Sequence, residues 1–209
     1  MTPLKPYYQH AGITIYHGDC REILPTLPKC DLLLTDPPYG AGYAANPVVG
    51  KGKLESNHKA QDWDNEPVDL GFLAAGNEAI IWGGNYYALL PTRCWLAWFK
   101  RDAPPSLAQM ELAWVSRDGN AKVFDYPIAA VNAERVGHPT QKPLALMKWC
   151  LSLFPNAKTV LDPFCGSGTT LVAAKAMGLT ATGIEMHEPY CEIAAKRLSQ
   201  EVFDFEATA

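Results

Sequence analysis

Apolar residues in this chain come in short runs separated by polar stretches, and the runs keep to a few positions. Those at 13–17, 31–35, 79–82, 94–99, 158–161 and 180–184 are too short for helices and rich in branched or aromatic residues. They read as strands, several of them buried on both faces as in a parallel sheet. The stretches at 110–115 and 122–124 add apolar–polar alternation and read as further strands. Helical patterns fall at about 20–27, 143–153, 170–177 and 188–200. Thr140 is the expected cap of the second, with Pro143 in its first turn, and Gly178 ends the third. Strands alternating with helices predict an α/β, doubly wound, mostly parallel, Rossmann-like sheet. At 209 residues, with no repeat or linker, residues 1–209 read as one domain. Residues 41–66 have no sustained period and predict a long polar loop whose middle is basic, with Lys51, Lys53 and Lys59.

Composition narrows the class. A chain that is 48% hydrophobic and 19% charged is an ordinary globular one. No stretch approaches the roughly 20 apolar residues of a membrane span, and no leader pattern opens the chain, so the expected place is the cytoplasm. Six cysteines without a C-x-x-C spacing suggest neither a zinc site nor a disulfide frame, and five scattered histidines suggest no metal. The net charge of −4 weighs mildly against a nucleic-acid partner. Residues 41–150, however, hold 11 basic and 11 acidic side chains, so a neutral central half leaves a DNA face possible with few phosphate contacts.

Candidate chemistry sits at two strand ends. Asp36-Pro37-Pro38-Tyr39 follows the apolar run 31–35. A carboxylate there can accept an N–H from an exocyclic amino group. The prolines stiffen the turn and leave carbonyls free to accept another. An aromatic ring can stack on a base turned out of its helix. Downstream, Asp162-Pro163-Phe164-Cys165-Gly166-Ser167-Gly168-Thr169-Thr170 joins a strand to a helix, and the next strand ends on Glu185. Glycines that admit a close ligand, followed about 20 residues on by an acid for ribose hydroxyls, describe a nucleoside site. Leu171 stands where a dinucleotide fingerprint needs its third glycine, and no lysine follows the glycines to hold a phosphate. S-adenosylmethionine suits such a loop better than NAD or ATP.

With both motifs in view, the chain resembles the amino-methylating DNA methyltransferases, which act on adenine N6 or cytosine N4. The resemblance runs from about Ile13 to Leu198 and takes in Trp82-Gly83-Gly84-Asn85-Tyr86 and Glu111-Leu112-Ala113-Trp114. Its catalytic motif precedes its cofactor motif, the order of the permuted group called beta. The resemblance implies catalysis by Asp36, Pro37, Pro38 and Tyr39. It implies cofactor contacts from Asp19 and Cys20 at the adenine, and from His138, Thr140, Gln141 and Lys142 over the methionine part. Asp36, Asp162, Phe164, Gly166, Ser167, Gly168, Thr169, Thr170 and Glu185 complete that set. DNA contacts are expected from Tyr39, Lys51, Lys53 and Lys59. Related enzymes often dimerise, so a homodimer is open.

One departure is size. Only about residues 116–137 are left for a target-recognition insert, so this short segment and 41–66 are the expected readers of sequence. Asp in the first motif position leans toward adenine N6. Cytosine N4, an RNA base or protein amide, and a catalytically inert cofactor-binding subunit are the competing readings.

Overall fold

A computed structural model describes residues 4–40, 68–134 and 141–200. The loop 41–66 with Lys51, Lys53 and Lys59, and the candidates His138 and Thr140, lie outside the described residues. Within them the strands are β1 (Tyr8–His10), β2 (Ile13–His17), β3 (Cys30–Thr35), β4 (Gly76–Trp82), β5 (Trp95–Phe99), β6 (Met110–Val115), β7 (Lys122–Asp125), β8 (Thr159–Asp162) and β9 (Thr180–Glu185). The helices are α1 (Cys20–Ile23), α2 (Ile128–Glu134), α3 (Leu144–Ser152), α4 (Thr169–Ala176) and α5 (Glu188–Ser199). All strands share one sheet in the order β1-β2-β9-β8-β3-β4-β6-β5-β7. From β2 to β4 every neighbouring pair is parallel. β6 runs against both β4 and β5, and β1 against β2.

The α/β, mostly parallel sheet is therefore the predicted one, with two additions. β1 is made by a hairpin over Ala11 and Gly12, both at positive φ (48° and 78°), the twist that a two-residue turn between antiparallel strands requires. α2 and β7 occupy half of the stretch expected to be an insert at 116–137. α2 starts where the Asp102 carboxylate, on a different segment, accepts the N–H groups of Ile128 and Ala129 at 2.6 and 2.9 Å. A cap supplied from so far along the chain leaves no local signature.

β3 shows why a continuous apolar run makes a central strand. Leu32 and Leu34 pack on one face with Ile80, Trp82 and helices α3, α4 and α5. Leu33 packs on the other with Ile81, Leu161 and Phe72. All three leucines are fully buried, and each such side chain contributes roughly 1.5–3 kcal/mol through lost apolar exposure.

β3 and β8 are far apart in sequence and adjacent in space, and polar side chains fasten them at both ends. At the start, Asp31 Oδ2 accepts the N–H groups of Lys158 and Thr159 at 2.8 and 2.9 Å and the Thr159 hydroxyl at 3.0 Å. The Asp31 N–H donates to Thr159 Oγ1 at 2.9 Å. At the finish, the Thr35 hydroxyl donates to Asp162 Oδ1 at 2.8 Å.

The sheet also lies close to α4. A Cβ added to Gly183 of β9 would stand 2.6 Å from Leu171 Cδ1 and 2.8 Å from Cys165 Sγ, both buried. Gly183→Ala should therefore destabilise the protein by about 1–3 kcal/mol through overpacking. Urea denaturation checks this; an unchanged midpoint would mean that α4 has slack against the sheet.

Candidate functional site

Four neighbouring parallel strands, in the spatial order β2, β9, β8, β3, each lead into an acid. The acids are Asp19, Glu185, Asp162 and Asp36, and parallel pairing sets all four along one edge of the sheet. Ligands of doubly wound sheets lie in the crevice beyond such carboxyl ends.

Asp19 is the N-cap of α1: it accepts the Arg21 N–H at 2.8 Å and is paired with the Arg21 guanidinium, whose hydrogen bonds hold its carboxyl below the usual range. The Gly18 N–H donates to the Glu185 carbonyl at 2.9 Å and ties the two strand tips together. Cys20, buried, lines an apolar cavity of about 420 Å³ with Leu24, Phe72 and Ala75.

Glu185 is buried, and burial raises its carboxyl pKa above the usual value. Its oxygens accept the His187 N–H at 2.7 Å and the Gly166 N–H at 2.9 Å, which fixes the carboxylate's orientation beside the glycine loop. Three more of the loop's amides are occupied within the protein. Phe164 N–H goes to Asp162 at 3.2 Å, Cys165 N–H to the Ile184 carbonyl at 3.0 Å, and Gly168 N–H to the Cys165 carbonyl at 2.7 Å. Gly166 and Gly168 take positive φ (50° and 80°), which L side chains adopt only under strain, and a Cβ at Gly168 would meet Ala194 Cβ at 2.8 Å. Ser167 and Thr169 face Arg197, whose Nη1 donates to the Ser167 carbonyl at 2.7 Å and to Thr169 Oγ1 at 3.1 Å. With four of its amides and the neighbouring Arg197 occupied, and no lysine after its glycines, the loop lacks the pieces of a phosphate cradle. A fixed, buried carboxylate with lone pairs to spare fits ribose hydroxyls, so these residues suit the nucleoside part of S-adenosylmethionine.

At the tip of β3 the arrangement is denser than expected. Asp36 accepts the Tyr39 hydroxyl on one oxygen and the Lys142 ammonium on the other. Lys142 Nζ also lies 3.2 Å from the Tyr39 oxygen and 3.1 Å from Glu111 Oε2. Glu111 in turn is paired with Lys100. Burial alone would lower Lys142, but the charges of Asp36 and Glu111 outweigh it and hold the ammonium well above its ordinary pKa. Burial likewise opposes the Glu111 charge, and the two lysines overcome it, leaving that carboxyl below its usual value. Burial and the neighbouring Asp36 charge push the Tyr39 phenol well up, so it stays a donor. The Tyr39 ring stacks on Tyr86 with centroids 5.0 Å apart and planes 13° from parallel. It also lies flush on Gly83, where a Cβ would come within 2.0 Å of the ring. The Pro38 carbonyl accepts the Tyr87 hydroxyl.

Thus Asp36, Pro38, Tyr39 and Lys142 come together, and Asp162 joins Asp36 through Thr35. The Lys142 ammonium sits on Asp36 and Glu111. Gln141 is buried just before it. Sequence reasoning gave no site role to Glu111, Lys100, Tyr86 or Tyr87, although Tyr86 and Glu111 fall in stretches that share the resemblance. For Glu111 a signal existed, a carboxylate inside the otherwise apolar strand Met110–Val115, which demands a buried cation.

Known proteins share this chain's sequence pattern and fold. A DNA methylase family model, for N6 and N4 methyltransferases, matches residues 94–196. The type II methyltransferase M2.DpnII of Streptococcus pneumoniae is 46% identical over 94% of this chain and 93% of its own length. The crystal structure of an M1.HpyAVI–SAM complex superimposes with a TM-score of 0.61 at 26% identity, covering 88% of this chain and 99% of that one. The cytosine-N4-specific PvuII DNA methyltransferase shares the fold, with a TM-score of 0.60 at 16% identity over 95% and 90% of the two chains.

Asp162 offers a pH test. Burial lifts its carboxyl from 3.8 to about 6, opposed by hydroxyls of Thr170 and Thr35. A carboxyl raised in the folded state favours folding while protonated. That contribution is complete below about pH 4 and is lost as pH rises through about 6, a change of about 3 kcal/mol. Asp162→Asn should therefore gain stability relative to the parent between pH 4 and 8, by several degrees in Tm. An offset that stays flat across that range in thermal unfolding would show that Asp162 ionises normally.

Proposed function

Because the chain belongs to the N6/N4 DNA methylase family, we propose that it methylates the N6 amino group of adenine in DNA, on a base turned out of its helix. The observation that carries this reading is the pairing of two acceptors, the Asp36 carboxylate and the Pro38 carbonyl, at a strand tip that adjoins the glycine loop of β8. S-adenosylmethionine supplies, when bound, a methyl group on a sulfonium. Its holders would be Glu185 at the ribose, the loop from Asp162 to Thr170 along the chain of the ligand, and Asp19 and Cys20 toward the adenine.

The lone pair of an exocyclic amine is delocalised into its ring and is a weak nucleophile. Asp36 and Pro38, each accepting one N–H, hold that nitrogen nearer to tetrahedral and aim its lone pair at the methyl. Asp36 then receives the proton released. The rate comes mainly from positioning, with the carboxylate stabilising the positive charge that develops on nitrogen. Tyr39 gives the extruded base a π surface, and Tyr86, half exposed and stacked on it, extends that surface. Attack by a thiolate on a ring carbon has no support here. All six cysteines are buried free thiols, and burial holds Cys165, in the loop itself, well above the usual thiol pKa.

Adenine is favoured over cytosine by Asp36 in the first position of its motif. The order of the two motifs supports the permuted beta group, and likeness to M2.DpnII supports a role within a restriction-modification pair. Target reading falls to residues 41–66 and 116–137, with Lys51, Lys53 and Lys59 on phosphates. The cytosine-N4 enzyme among its fold neighbours makes the product base the quantity to measure.

The test is incubation with methyl-labelled S-adenosylmethionine and unmethylated DNA, followed by nucleoside mass spectrometry. N6-methyladenine should appear with the parent chain and fall by at least about a thousandfold with Asp36→Ala. N4-methylcytosine instead would keep the mechanism and overturn the substrate. In calorimetry Glu185→Gln should weaken cofactor binding about tenfold, the effect of losing a charge-assisted bond to a ribose hydroxyl. An unchanged Kd would remove Glu185 from the cofactor site.

A further inference from the structure

The acceptors that a substrate amine needs are already occupied by the protein's own donors: Lys142 and Tyr39 on Asp36, and Tyr87 on the Pro38 carbonyl. Lys142 matters most, because an ammonium and an exocyclic amine are both nitrogen donors seeking the same carboxylate oxygen. It also carries a full positive charge where the reaction itself builds positive charge on nitrogen. An ammonium left on Asp36 would oppose the transfer both sterically and electrostatically.

The structure holds a second seat for it. Lys142 Nζ is 3.1 Å from Glu111 Oε2, and both groups are largely buried. The lysine chain is flexible near its end, so the ammonium can trade one carboxylate for the other through its terminal torsions. Glu111 is itself steadied: Lys100 pairs with its other oxygen, and Trp98 and Glu111 lie opposite each other in the β5–β6 register. Lys100 alone would neutralise Glu111, yet the carboxylate also reaches Lys142 and through it the catalytic turn.

We propose that Glu111 is a positioning residue for the transfer, the seat to which the Lys142 ammonium withdraws when a substrate amine takes its place on Asp36. In the free protein Lys142 is shared between the two carboxylates and plugs the amine position. With a base in place Glu111 holds it alone, and Asp36 turns both its acceptor capacity and its charge to the substrate. This rests on the amine-methylating reading above.

The test compares Glu111→Gln, the double variant Glu111→Gln/Lys142→Met and the parent chain. Steady-state methylation, the Kd of S-adenosylhomocysteine by calorimetry and Tm are all measured. Without its second seat, Lys142 stays on Asp36. Glu111→Gln should then lower kcat/KM for DNA about tenfold, while the S-adenosylhomocysteine Kd shifts by less than about twofold. Removing the ammonium as well should recover most of the lost kcat/KM. A Glu111→Gln variant equal to the parent overturns the proposal. So does a double variant as slow as Glu111→Gln, which would make Glu111 a structural ion-pair member and would bring a lowered Tm with it. A parent chain that forms no methylated base overturns the underlying reading instead, so the two failures are distinguishable.

Discussion

The pairing of β3 with β8 is the constraint on which the site depends. These strands lead into the two motifs, which lie far apart in sequence, and nothing local in the chain brings them together. Their ladder is short, with Leu32 opposite Val160 and Leu33 opposite Leu161. A one-residue slip in β3 would turn Leu32 and Leu34 from one packed face to the other and carry Asp36 along by a full residue rise. The side-chain clamps guard against that slip from both ends, Asp31 on the first residues of β8 and Thr35 on Asp162. The lower clamp uses a carboxylate to accept backbone N–H groups, and those bonds hold Asp31 below the usual carboxyl range. The upper clamp joins residues that each adjoin a motif, so the register and the site are held by the same bond.

Given that register, the row of acids follows from topology. Parallel strands point their carboxyl ends the same way, so Asp19, Glu185, Asp162 and Asp36 line one edge in spatial order. Their neighbours differentiate them. Asp19 is paired with an exposed arginine and caps a helix. Glu185 is turned by two backbone amides toward the loop. Asp162 is buried among hydroxyls and raised toward neutrality. Only Asp36 has an ammonium on it. Residues of one chemical type thus take four electrostatic states.

Much of this was legible in the residues alone, and the reasons for what was not are physical. Apolar runs such as 31–35 announced buried strands, because a strand covered on both faces has little room for polar side chains. The two motifs stand out in the sequence because glycine, proline and acid at a strand end have few other joint uses, and the fold sets both at one edge of the sheet. β1 was missed because its apolar signal is weak and its turn rests on Ala11, an unusual residue for positive φ. α2 was missed because its cap, Asp102, comes from another segment. Lys142 was assigned toward the cofactor from its place in a motif. Its pairing with two carboxylates at once, Asp36 and Glu111, is created by the fold. Tertiary electrostatics of that kind cannot be read from spacing.

That pairing also explains why the cluster tolerates burial. An isolated charge in a low-dielectric setting costs several kcal/mol, and removing one member of a buried pair leaves its partner exposed to that cost. Here two carboxylates and two ammonium groups alternate, Asp36–Lys142–Glu111–Lys100, so the set is neutral and each charge has an opposite neighbour. Neutrality has a functional corollary. A site with unpaired negative charge would bind any cation, and one with unpaired positive charge would repel the methyl donor. A neutral chain whose central ammonium has two alternative partners can expose one carboxylate on demand without ever leaving the other unpaired. The arriving amine, which becomes cationic as it is methylated, then completes at Asp36 the pairing that Lys142 gives up.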